Sequence, residues 1–335
     1  MKKFIKIAIC IALCLLTALT VIGCDDSSNA NGTTGLLIKK SGDVYYVKSY
    51  SAEKNVKELT VGETDGYTTS TGAKATVTKI GDYAFKNNAT LETVIVKDNV
   101  TEIGKGAFAG MTSLKKLVLP FAGQKVGAVN DARLVASLFG TTEFDGSLAV
   151  TAKADDGATE VTYYIPATLN EIVIDYNGAD AYSIPQNAFA NLPVSKITVT
   201  GNVDKIGQGA FSGTLITEFN MPETVTEIGA SAFASCKRLT SVTFGANASD
   251  IETIGEKAFY SFKGTEINLP KVKTIGEFAF ASESDENLSN LQKVTAVSVD
   301  TIEGYAFYNL GDLEINFTAT TVASTAFNKT TITQI

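Results

Sequence analysis

Ile206-Gly207-Gln208-Gly209-Ala210-Phe211 and, 22 residues later, Ile228-Gly229-Ala230-Ser231-Ala232-Phe233 are two copies of one phrase, Ile-Gly-x-x-Ala-Phe, and its recurrence decides the fold. Further copies stand at residues 80–85, 103–108, 254–259 and 275–280, and worn ones end at Phe189, Phe307 and Phe327. The successive phenylalanines step by 23, 81, 22, 22, 26, 21, 27 and 20 residues. One unit of about 22 residues therefore repeats, with small insertions and one long interruption, and a period of that size marks a solenoid.

Before each later phrase comes a short apolar run of the form Leu-x-x-Val-x-Val, as at residues 91–96, 114–119 and 239–244. The run has the period of a strand, so Leu91, Val94 and Val96 turn inward while Thr93 and Ile95 face out. A strand of about six residues cannot bury its apolar face alone. Stacked copies pair into one parallel sheet, and the Ile and Phe of each phrase fill the space behind it. Burying one Phe stabilises by roughly 1.5–3 kcal/mol, so nine phenylalanines in register form the backbone of a core. The Gly is expected to supply a bend or a close backbone approach, and the small Ala to leave room for the neighbouring coil. The expected class is an α/β or mostly β solenoid with a parallel sheet on one face and short irregular or helical segments on the other.

These residues resemble the Treponema pallidum-type leucine-rich repeat, the BspA-like family of bacterial surface proteins. The resemblance covers about residues 56–335 and rests on many copies, such as Leu114-x-x-Leu117-x-Leu119-Pro120 running on from Ile103-Gly104 to Phe108. The interruption, with Leu138-Phe139-Gly140, Ile165-Pro166-Ala167-Thr168-Leu169 and Ile184-Pro185-Gln186-Asn187-Ala188-Phe189, is similar to a longer repeat variant of that family. The resemblance implies a right-handed leucine-rich-repeat superhelix and a surface protein that binds host or matrix proteins.

Ahead of the repeats stands an export signal. Lys2, Lys3 and Lys6 precede an apolar stretch over residues 7–22, closed by Val21-Ile22-Gly23-Cys24 and followed by polar residues 25–29, the pattern of a lipoprotein signal. Cys24 is expected to carry lipid and to be the first residue of the exported chain. The apolar stretch is short for a spanning helix. Residues 1–23 hold three Lys and no acid, so without them 25 basic groups face 36 acidic ones, a formal charge of −11 against −8 for the whole chain. A nucleic-acid partner needs a basic footprint, which this balance excludes. Anionic lipid is disfavoured on the same ground, so membrane attachment would depend on the several acyl chains at Cys24.

Two of the four cysteines, Cys10 and Cys14, lie in the signal and Cys24 takes lipid, which leaves Cys236 without a disulfide partner. Following Ala232-Phe233, it reads as a small buried residue of the repeat rather than a reactive thiol. The chain has no His. Catalysis through a histidine base and zinc sites built from His and Cys are thereby excluded. Residues 104–110 look like a phosphate loop but lack its Gly-Lys-Ser/Thr and are one repeat. The acidic stretches 283–287 and 155–157 lack the ligand spacing of a calcium loop and read as solvated. No carboxylate pair can be located for a glycosidase, and the expectation is a non-enzyme without cofactor or metal.

The chain is expected to divide into a signal at 1–23, a flexible tether at 24–35, a capping β-hairpin at 36–55 and repeats over 56–335, with a longer divergent repeat at about 121–180. The end at residues 330–335 reads as a last strand without a cap. The candidate binding surface is the outward strand face, which in solenoids is the usual one. Its residues are Lys116, Glu171, Lys196, Glu218, Asn220, Glu266 and Asn268. The face lacks the Tyr, Trp and Arg cluster of an interface hot spot. A lipid-anchored surface protein that binds a protein ligand is the first reading, and an envelope spacer or self-assembling protein is the second.

Overall fold

A computed structural model describes residues 28–31, 35–51, 56–62, 67–68, 74–153, 160–282 and 289–334. Its repeat is a turn with two strands and a chain of tight bends. The Leu-x-x-Val-x-Val runs form the front sheet, in a five-stranded section over residues 58–201, a two-stranded section over 218–244 and a four-stranded section over 266–334. Pairing within each section is parallel, and in register except for one shift between Leu313 and Glu314 in the last pair; Thr93, Lys116, Glu171 and Lys196 lie in one row. The register follows from burial. Val94, Leu117, Ile172 and Ile197 stand side by side and are buried, and a slip by one residue would turn them all to water.

The residues around each Ile of the phrase make a second parallel sheet, which the sequence reading had given to irregular or helical segments. Its longer section orders Tyr182–Ile184, Val203–Ile206, Glu227–Ile228, Ile251–Ile254, Val272–Ile275, Val299–Ile302 and Ala319–Val322. The strands are four residues or fewer, and Val203–Ile206, Ile251–Ile254, Val272–Ile275 and Val299–Ile302 turn both ends inward and the middle pair outward, so periodicity has too little length in which to show. Among the described residues the helical content is two short 3₁₀ segments, Asn130–Arg133 and Val135–Leu138. The α/β alternative is therefore set aside in favour of a β-solenoid.

The third side is a ladder of bends, and it explains the Ala-Phe pair. The N–H of Phe211 donates to the carbonyl of Ala232 at 2.8 Å, Phe233 does the same to Ala258 and Phe259 to Ala279, so each phrase is hydrogen-bonded to the next. The rings stack behind them. From Phe189 through Phe211, Phe233, Phe259, Phe280 and Phe307 to Phe327 the centroids step by 5.0–5.3 Å with planes within 10°. The expected single run of nine is two runs. Phe139 supplies a rung inside the interruption, 6.2 Å from Phe108, and Tyr50 of the N-terminal hairpin continues the first run from Phe85 at 5.7 Å. The Gly of the phrase serves close approach and not a bend. A Cβ at Gly229 or Gly255 would lie 2.7 or 2.6 Å from the backbone nitrogen of Gln208 or Ala230 in the previous turn. The left-handed bends sit two residues later, at Gly209, Ser231 and Lys257.

Leu36–Ser41 and Val44–Tyr50 form an antiparallel hairpin whose second strand pairs in parallel with Val77–Ile80. Within the stretch expected to be a tether, Ser28–Asn31 lies antiparallel to Leu36–Ser41. In the interruption, Ser147–Lys153 and Glu160–Pro166 make a second hairpin, looped out between Lys116–Leu119 and Glu171–Tyr176, which pair directly. Cys24 and the acidic stretches 155–157 and 283–287 lie outside the described residues.

Candidate functional site

The front sheet brings the seven predicted residues to one face. Lys116, Glu171 and Lys196 are neighbours in one row, and Glu171 sits between the two lysines, 3.4 Å from Lys116 Nζ and 3.3 Å from Lys196 Nζ. Glu218 and Glu266 hold the same outward position on Glu218–Met221 and Glu266–Leu269, two residues before Asn220 and Asn268. These four are exposed, whereas Lys116 and Glu171 are half-buried, because each long side chain lies across its paired neighbour. Thr243 Oγ1 donates to Asn220 Oδ1 at 2.6 Å, which links two turns in the second outward row.

Opposite charges on neighbouring turns also pair elsewhere along the stack. Glu92 is held between Lys115 at 2.6 Å and Lys57 at 3.0 Å, and these two bonds hold its carboxyl below the usual carboxylate range. Further on, Lys293 lies 2.7 Å from Glu314, raising the ammonium pKa and, with Asn316, lowering that of the carboxyl. Exposed pairs of this kind add little stability. They do orient the side chains that a partner would meet. Lys293 and Thr295 belong to the face but were not among the predicted residues. Their signal was present in Leu291-Gln292-Lys293-Val294-Thr295-Ala296, which keeps the spacing of the other runs with Ala for the last Val.

Recesses also lie off this face, and two of them flank the long repeat. One, of about 490 Å³, lies between the ends of the front strands and the loop after Pro120, lined by Val100, Phe121, Val126 and Tyr176. The other, of about 580 Å³, lies between the hairpin of the long repeat and the ladder of bends. Cys236 is buried, its thiol bonded to Phe211 O at 3.1 Å and near Thr214 Oγ1, and burial pushes its pKa up to about 11. Among the described residues no group of His, Cys, Asp and Glu is placed to hold a metal ion, and no helix is long and apolar enough to cross a membrane.

No curated protein matches the chain. Solved structures to which it is similar include a leucine rich cell surface protein from Faecalibacterium prausnitzii, at 18% identity over 88% of this chain and 88% of that one, with a TM-score of 0.37. A leucine-rich repeat protein from Eubacterium ventriosum shows 19% identity over 90% and 94%, TM-score 0.35. The T. pallidum leucine rich repeat protein shows 17% identity over 79% and 84%, TM-score 0.30. The repeats themselves match the family model of the BspA type leucine rich repeat region in six copies, over residues 67–129, 162–286 and 248–335, and with well over half of the chain so covered the protein belongs to the BspA-type leucine-rich repeat family.

Proposed function

We propose that this chain is a bacterial cell-surface lipoprotein, held to the membrane by lipid at Cys24, whose front sheet binds a protein ligand of host or matrix origin. The observation that carries the reading is the succession of outward strand positions across the three sections of the front sheet, running from Lys116, Glu171 and Lys196 to Glu218, Asn220, Glu266 and Asn268 on one face. Each turn offers only two or three such side chains, far below the roughly 800 Å² per partner of an ordinary interface, so a ligand must span several turns. The export pattern at residues 1–24 supports an extracytoplasmic location. The acidic balance favours partners with basic patches, which associate faster at low salt.

Immobilised matrix and plasma proteins, probed with the soluble repeat domain, test the reading. Lys116→Glu, Lys196→Glu, Glu218→Lys and Glu266→Lys should each weaken capture modestly and together abolish it, with the melting temperature nearly unchanged. Capture that survives all four removes the front sheet from consideration. Concentration-dependent filaments in light scattering would favour a self-assembling role instead. For the anchor, Cys24→Ala should end incorporation of labelled fatty acid and move the protein to the soluble fraction.

A further inference from the structure

The groove beside the long repeat differs in chemistry from the rest of the ladder. Its wall is the hairpin, through Thr151 and Glu160, and its floor crosses three consecutive turns at Gln186 to Asn191, Gln208 to Ser212, and Ser231. Asn191 Nδ2 donates to Thr151 O at 3.3 Å and ties wall to floor. After the Gly of the phrase the four other unworn copies carry charge: Asp82, Lys105, Glu256 with Lys257, and Glu277. Under the hairpin the same positions hold Gln186 with Asn187, Gln208, and Ala230 with Ser231. Among the described residues the carboxamides of Gln186, Asn187 and Gln208 have no intramolecular hydrogen-bond partner.

A free carboxamide offers two donors and an acceptor, and a sugar hydroxyl is both donor and acceptor, so such groups recognise polyhydroxylated chains without charge. Successive turns repeat at about 4.8 Å, an interval close to that of successive sugar rings in an extended chain. Among the described residues lining the groove, the one charged group is the rim carboxylate of Glu160, so a charged ligand finds little to pair with there. Among the same described residues the apolar side chains are those of Ala152 and Ala190, too small to hold an apolar peptide side chain. Nor can a peptide add as a strand, because the floor's backbone is spent between turns, with Asn187 N–H on Gln208 O and Gly209 N–H on Ala230 O. We propose that this groove binds a neutral oligosaccharide lying along the stack axis, at a site separate from the front sheet.

Native affinity electrophoresis of the soluble repeat domain tests this, with gels containing a mixed-linkage β-glucan, an arabinoxylan, a galactomannan or a dextran, and comparison gels containing polygalacturonate or gelatin. The expected result is retardation by at least one neutral polysaccharide. Gln186→Ala with Gln208→Ala should weaken it about tenfold or more, and Ser212→Trp, which fills the groove, should abolish it. The four front-sheet reversals should leave it intact, which separates this site from the protein-binding face. Thermal melts establish that the variants fold. No retardation by any neutral polysaccharide, retardation by polygalacturonate or gelatin alone, or retardation undiminished in both groove variants overturns the proposal.

Discussion

Phe211 and Phe233 each stack against the equivalent ring of the turn before and the turn after, at 5.0–5.2 Å. Truncating such a ring opens a cavity that neither neighbouring turn can close without losing its own register. Phe211→Ala and Phe233→Ala should each cost about 3–5 kcal/mol in urea unfolding. Phe327 is half-buried with one ring partner, Phe307, and Phe327→Ala should cost clearly less. Equal losses at the three sites would mean that the stack is not the source of stability. Cys236 predicts a pH dependence. Its folded pKa of about 11 is raised above the ordinary 9.0, so its contribution is complete below pH 9 and is lost as the pH rises towards 11. Relative to Cys236→Ala, the native protein should lose roughly 1–2 kcal/mol more between pH 8 and pH 10.5, as measured by urea titration at both values. Parallel curves would show that the thiol is not held protonated by burial.

Among the elements, the hairpin of the long repeat is the one that looks expendable from its position, since the front strands on either side of it pair with each other. Burial gives a different answer. Val150, Tyr163 and Ile165 belong to the common core, while Leu148 on the same hairpin is 42% exposed. Ile165→Ala is expected to destabilise by about 2–5 kcal/mol, and Leu148→Ala to change stability by within about 0.5 kcal/mol. If both are neutral in thermal and urea unfolding, the hairpin is an appendage and the groove beside it has no fixed wall. Phe139, which the sequence places in the longer repeat variant and not in the phenylalanine ladder, is nevertheless a rung of it. The N–H of Phe108 donates to Leu138 O, so the backbone places Phe139 as a rung without the Ile-Gly signature.

For the whole molecule, a stack in which each turn touches only its neighbours has stability that is close to a sum of turns and interfaces. Opening should therefore begin at the ends. Hydrogen exchange is expected to be slowest at the ladder amides of Phe211, Phe233 and Phe259 and fastest at Thr330–Gln334, read by mass spectrometry on peptic fragments. Uniform protection along the chain would indicate all-or-none unfolding of the stack. The same architecture distributes any front-sheet interface over many turns, which is why single charge reversals there should act weakly and only their combination decisively.

How far the fold was legible follows from repetition. Leu-x-x-Val-x-Val and Ile-Gly-x-x-Ala-Phe recur often enough that the solenoid, the parallel front sheet, its register and its outward residues could be read from residue order alone, since strand period and burial act within a few residues. Three things required the tertiary structure. The second sheet is built of strands too short to show a period, and only pairing between turns makes them strands. Glu171 lies between Lys116 and Lys196 although 55 residues separate it from the first, because the looped-out hairpin removes the interruption from the sheet. The groove of neutral amides arises only where that hairpin comes beside turns far along the chain, a contact fixed by packing that no local pattern encodes.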